Sequence, residues 1–105
     1  MMVGILVDQV KGVMNLMIRF ACPCCGFLTR SEAAYGSFDI CPVCFWEDDN
    51  VQGDDPTYAG GANIVSLNQA RQNYREFGAK QRESLDFVRK PHPSEFPDGG
   101  EPSAE

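Results

Sequence analysis

Histidine and tryptophan each occur once in this chain of 105 residues, and nine Lys and Arg stand against fifteen Asp and Glu. Each shortage removes a class of function. The single histidine, His92, lies between two prolines near the C-terminus, so no Ser-His or Cys-His pair can be assembled. The net charge of −6 is wrong for gripping phosphates, and only the stretch from Arg71 to Lys90 offers a basic face, diluted by Glu76, Glu83 and Asp86. Nucleic acid is therefore disfavoured as a partner. The apolar opening of the chain is interrupted at Asp8 with no cation ahead of it, which argues against a signal peptide or a membrane span and predicts a reducing, cytoplasmic location.

What is present is an ordinary globular balance, 43% apolar and 23% charged, in a chain long enough for one small domain. Ten glycines and seven prolines gather toward the C-terminus, so roughly eighty residues are expected to fold. A core that thin calls for a metal, disulfides or a partner. Five cysteines are available. In a reducing compartment, cysteines at short fixed spacing read as metal ligands, and an odd count fits four ligands with one thiol left over.

The cysteines form two turns, Cys22-Pro23-Cys24-Cys25-Gly26 and Cys41-Pro42-Val43-Cys44, separated by fifteen residues. This falls within the CxxC…CxxC spacing of a zinc site. A two-residue gap aims both sulfurs at one point, while Pro presets φ and Gly26 accepts the left-handed conformation that closes the knuckle. Cys22, Cys25, Cys41 and Cys44 are thus the predicted ligands of a closed, structural site. Phe45 stands where a second Gly would be easiest, so either that turn differs or packing compensates. Cys24 reads as a small buried filler, with a reactive thiol as the competing reading. Iron in a rubredoxin-like carrier would use the same knuckles, so the spacing does not separate the metals; the shortness of the hairpin favours zinc, with iron the alternative.

Residues 1–17 read as an N-terminal extension, with Met14 and Met17 just ahead of the cysteines. Met1 to Leu16 carries only a weak strand or short-helix pattern. From Ile18 to Trp46 the pattern predicts a hairpin pinned at both ends by the cysteine turns, with strands around Phe27 to Arg30 and into Cys41. Glu47 to Asn63 is expected to be an ordered acidic loop without regular structure. Ser66 and Gln69 form a capping box for a helix whose inward face is Leu67, Ala70, Tyr74 and Phe77, and Gly78 stops it. A second helix from Ala79 to Arg89 would turn Leu85 and Val88 inward. The domain then runs over 18–90, followed by a solvated tail from 91 to 105. The fold class is small α+β: a two-knuckle zinc-ribbon hairpin, an acidic loop and one or two C-terminal helices.

These residues, CPCCG followed by CPVCFWEDDNVQGDDP, then GGAN, SLNQAR, NY and FGA, resemble the small bacterial proteins of the cysteine-rich CPCC family over about Phe20 to Ala79. The resemblance implies a zinc-binding domain, supports the same four cysteines as ligands, and leaves the molecular role open.

Glu47, Asp48, Asp49, Asp54 and Asp55 form the densest acidic cluster. Read as a calcium loop from Asp48, the cluster offers Asn50, Gln52 and Gly53 in suitable places but Ala59 where a bidentate Glu is needed. Asx turns and helix caps are the simpler roles. The Gly60-Gly61-Ala62-Asn63 run reads as a tight turn rather than an anion cradle, because no P-loop Lys follows. The resulting expectation is a non-enzymatic module that binds another protein, with Trp46, Asp48, Asp49, Asp54 and Asp55 as the contact surface. A hydrolase or nuclease working through a second metal in the acidic loop is the alternative.

Overall fold

The computed structural model describes residues 19–33 and 35–97. The predicted N-terminal extension therefore lies outside the described residues, as does the tail beyond 97. The architecture is α+β. Strand β1 (Phe20–Ala21) pairs antiparallel with β2 (Leu28–Arg30), and the first cysteine knuckle forms the tip between them. The second knuckle tips a hairpin of its own, reduced to one bridge between Ile40 and Glu47, with Phe38 N donating to Asp48 O at 2.9 Å. The expected single hairpin is thus two short ones. The cause lies between them: Gly36 and Phe38 have φ of 96° and 61°, which no continuous strand tolerates.

The predicted acidic loop contains a short helix, α1 (Asn50–Asp54). Asp49 starts it, accepting from Val51 N at 2.7 Å and Gln52 N at 3.3 Å. Five residues with a glycine among them show no apolar period, so sequence pattern had nothing to register. The rest of the segment folds around α1. Asp49 Oδ2 accepts from Ala62 N at 2.9 Å, and a Cβ on Gly61 would stand 2.6 Å from that oxygen. Gly61 is required for space, whereas Gly60, at φ 94°, is required for conformation.

Helix α2 (Leu67–Phe77) begins at the Ser66 cap, where Gln69 N donates to Ser66 Oγ at 3.1 Å, and ends at left-handed Gly78. Only half of the expected box forms, because the Gln69 side chain reaches Asn73 instead. Leu67 and Ala70 are fully buried and Tyr74 packs at the edge of the core. Phe77 is only half-buried and is covered by the Arg82 guanidinium, 4.3 Å from the ring centre.

The predicted second α-helix is a 3₁₀ helix over Arg82–Phe87, and its buried residue is Ser84 while Leu85 is exposed. Tertiary anchors explain the change. Lys80 N donates to Cys44 O at 2.8 Å and Arg89 N to Pro42 O at 3.0 Å, so both ends of the segment are tied to the second knuckle. Chain packing continues past residue 90. A 3₁₀ turn at Pro93–Glu95 brings Glu95 onto Arg89 at 2.8 Å, and Phe96 meets the Phe27 ring edge-on at 4.9 Å. Ordered packing therefore reaches beyond residue 90, where sequence composition placed the end of the domain. Among the described residues, no helix is long and apolar enough to cross a membrane.

Of the eight buried residues in the core cluster, four are cysteines. Beside this sulfur core lies a polar one. Gln52 and Asn63 are both fully buried, and Gln52 Nε2 is placed to donate to the carbonyls of Tyr58, Asn63 and Val65 at 3.0–3.1 Å. Gln52 Oε1 accepts from Asn63 N and Nδ2. Removing one side chain of such a network leaves buried groups unsatisfied at about 1–3 kcal/mol each. Gln52→Ala is expected to lower unfolding free energy by about 3 kcal/mol, and Gln52→Glu by at least as much, since a carboxylate oxygen would face three carbonyls. Urea denaturation of the metal-loaded protein checks this; a near-wild-type Gln52→Glu would show that the network carries little.

Candidate metal centre

Each CxxC segment folds the same way, because each starts with cysteine then proline and each closes a hairpin. Gly26 N donates to Cys22 O, and Phe45 N to Cys41 O, both at 2.8 Å. Cys22 N donates to Phe27 O and Cys41 N to Trp46 O, both at 2.9 Å. Cys24 N and Val43 N then point at the sulfurs of Cys22 and Cys41, each at 3.4 Å. Gly26 and Phe45 occupy equivalent positions with φ of 84° and 73°. The second turn therefore does not differ, and packing compensates: the Phe45 ring stacks on Phe87 at 5.3 Å with the Lys80 ammonium 5.5 Å from its centre.

The two knuckles face one another. Cys22 Sγ lies 3.6 Å from Cys44 Sγ and Cys25 Sγ 3.8 Å from Cys41 Sγ, and all four sulfurs fall within 4.8 Å of one another. Four thiolates at about 2.3 Å from a tetrahedral ion stand roughly 3.8 Å apart, so the cluster fits one ion with every position filled by protein. Thr29 adds a neutral donor, with Oγ1 3.2 Å from Cys41 Sγ.

Protein closes the surroundings. Cys22, Cys41 and Cys44 are buried and Cys25 is partly so. Arg71 Nε donates to Pro23 O at 2.8 Å, tying α2 to the first knuckle as Lys80 and Arg89 tie the following segment to the second. Burial lowers the affinity of Lys80 for its proton, Glu47 and Cys44 oppose this, and its Nζ donates to Asn63 Oδ1 at 2.8 Å. Cys24 is buried and lies outside the four-sulfur group, consistent with a filler.

The profile of the family described as Cysteine-rich CPCC matches residues 20–95. The chain belongs to that family. No curated protein matches it. Membership in the CPCC family and the sulfur geometry agree on a cysteine cluster able to hold a metal ion.

Among the described residues, the carboxylates do not gather into a second site. Asp48 is 3% exposed, and its Oδ2 accepts from Gly36 N, Ser37 N and Ser37 Oγ at 2.9–3.1 Å while facing Arg30 at 3.4 Å. Asp49 is consumed by its cap and by Ala62, whose hydrogen bond leads in holding the carboxyl below its ordinary value. Asp55 closes an Asx turn onto Thr57, and Asp54 is exposed. Trp46, expected at a contact surface, is 1% exposed and packs in the sulfur core. Sequence reasoning missed Thr29, Lys80, Gln52 and Asn63. A polar pair inside an otherwise unstructured acidic stretch was the available signal for the last two.

Hydrogen bonds among the four sulfurs shift their thiols in opposite directions. Donation from Cys25 leads in holding Cys22 low, and donation from Cys22 and Cys25 holds Cys41 low; the donors' role pushes Cys25 and Cys44 up. Metal uptake requires all four as thiolates and so displaces protons. Uptake at neutral pH is expected to release protons, and affinity is expected to fall as pH falls because protons compete for the sulfurs. Titration with cobalt(II) in weakly buffered indicator dye measures both; a pH-independent affinity would contradict the assignment.

Proposed function

We propose that this CPCC protein is a zinc-stapled, non-enzymatic module that binds another protein in a reducing compartment, the cytoplasm. The observation that carries the reading is the closure of the four-sulfur cluster, in which protein side chains fill every tetrahedral position and leave none for water or substrate. Such a site supplies folding energy rather than a reactive water. Two matching knuckles, arranged as in a zinc ribbon, and an all-thiolate donor set favour zinc. The acidic exterior favours a protein partner over nucleic acid.

Structural zinc in small peptides is worth about 10–16 kcal/mol, more than a domain of this size holds in reserve. Cys41→Ser is expected to abolish cooperative thermal unfolding and most helical circular dichroism; native-like melting of that variant would overturn a structural role. Plasma mass spectrometry of freshly purified protein, with a visible spectrum, is expected to give one zinc per chain and no further ion retained after dialysis with Mg²⁺ or Ca²⁺. Iron with visible absorption would replace the proposal with an electron carrier. A second retained divalent ion would replace it with metal-assisted hydrolysis.

A further inference from the structure

With Trp46 and two of the five clustered carboxylates buried, the contact surface expected from sequence has to lie elsewhere. Of the eight large apolar side chains exposed among the described residues, which include Tyr58, Ile64, Leu85 and Phe87, the four from Tyr35 to Val51 flank the second knuckle in sequence. Tyr35, Phe38 and Ile40 are 51%, 51% and 49% exposed, and Val51 on α1 is 53% exposed. They lie on neighbouring segments: Ile40 bridges Glu47, Phe38 N donates to Asp48 O, Asp49 caps α1, and the chain at Tyr35 and Gly36 runs along α1. A Cβ on Gly36 would stand 3.1 Å from Asn50 Cβ, and one on Gly53 would stand 3.9 Å from the Tyr35 ring.

Phe38 is the informative residue. Its φ of 61° is a conformation that costs an aromatic residue about 1–2 kcal/mol. For Phe45, the other aromatic residue in that conformation, stacking on Phe87 offsets the cost. Phe38 instead holds half its surface in water, where its ring gains little burial.

The charge around this face is of one sign. From Ser31 to Ser66 the sequence holds seven carboxylates and no Lys, Arg or His. Asp48 and Asp49 are buried and Glu47 is partly buried, which leaves Glu32, Asp39, Asp54 and Asp55 exposed. Of the cations from outside this stretch, Lys80 is buried against Asn63, and Arg30 is buried against Asp48 with its guanidinium over the Tyr35 ring, 4.7 Å from the ring centre. Apolar anchors inside a rim of one sign select a partner of the opposite sign.

We infer that the face formed by Tyr35, Phe38, Ile40 and Val51 docks a protein segment that carries apolar anchors flanked by Lys or Arg. This rests on the reading of the domain as a protein-binding module and names the surface and the chemistry of its partner. Apolar side chains enter between Phe38, Ile40 and Val51, while cationic groups meet Asp39, Asp54 and Asp55. Affinity falls with salt because the rim charges are exposed.

The test is selection of random twelve-residue peptides displayed on phage against the zinc-loaded protein, followed by ¹⁵N shift mapping with a synthetic copy of the enriched peptide. The expected result is enrichment of peptides with apolar and Lys or Arg residues, with shifts centred on residues 35–40 and 50–55. Phe38→Asn suits a left-handed backbone and is expected to keep or raise the melting temperature while weakening binding roughly tenfold or more. Asp54→Lys, at an exposed position, is expected to weaken binding and flatten its salt dependence. Enriched peptides that are acidic, or shifts on another face, would overturn this surface and leave the module reading standing. Failure to enrich any peptide on folded, zinc-loaded protein would count against both.

Discussion

Four sulfur atoms held within 4.8 Å of one another are the constraint on which the rest of the chain depends. Half of the buried core cluster is cysteine, so among the described residues the rest of that cluster is Val43, Trp46, Leu67 and Ala70, edged by Phe27, Val65 and Tyr74. That is too little to order a chain in which backbone ordering alone costs on the order of 1–2 kcal/mol per residue. An ion held by the four cysteines would supply the missing cohesion, and the knuckles would turn it into shape. Their carbonyls receive the rest of the molecule: Pro23 O takes Arg71 from α2, Cys44 O takes Lys80, and Pro42 O takes Arg89. Helix and tail are hung from the two cysteine turns.

The polar network completes what the sulfur core begins. Asn63 Oδ1 accepts from Glu47 N at 2.8 Å and from Lys80 Nζ at 2.8 Å, while Nδ2 donates to Glu47 O and Gln52 Oε1. One side chain thus joins the strand leaving the second knuckle, the α1 region and the segment after α2. Lys80 belongs to both systems, with its backbone on Cys44 and its ammonium in the network. Metal loss would free the backbone anchor and expose the buried network to water. The two cores are therefore expected to unfold together.

What was legible in the sequence is what local rules decide. The ligands follow from a spacing that acts within four residues, and α2 follows from a cap, a period and a glycine, each of which the structure contains. The misread elements are those set from a distance. Helix α1 is too short to show a face and exists because Asp49 caps it and Gln52 and Asn63 bind its surroundings. The segment after Gly78 has a helical pattern but is extended at Gln81 and 3₁₀ beyond, because its ends are fixed to knuckle carbonyls. Acidity reads as surface from sequence, yet Asp48 is enclosed by Gly36, Ser37 and Arg30. Clustered carboxylates in a small domain can be fold determinants, and only coordinates separate those from Asp54.

The two aromatic residues at positive φ show how fold and interaction divide this molecule. Phe45 follows its knuckle into a left-handed conformation because the turn must close, and Phe87 and Lys80 cover the ring that results. Its strain is offset inside the domain. Phe38 sits where the chain leaves one hairpin for the other, and its ring is left half in water. Fold closure needs a left-handed residue there, which Gly or Asn would supply at less cost, and does not need an aromatic ring. A side chain that raises local cost without packing gain is explained by what it meets outside the domain. The closed metal site and the open aromatic face are complementary in this sense. The sulfur cluster spends its coordination entirely on holding the chain, and the chemistry left for recognition lies on the acidic, aromatic exterior that this holding creates.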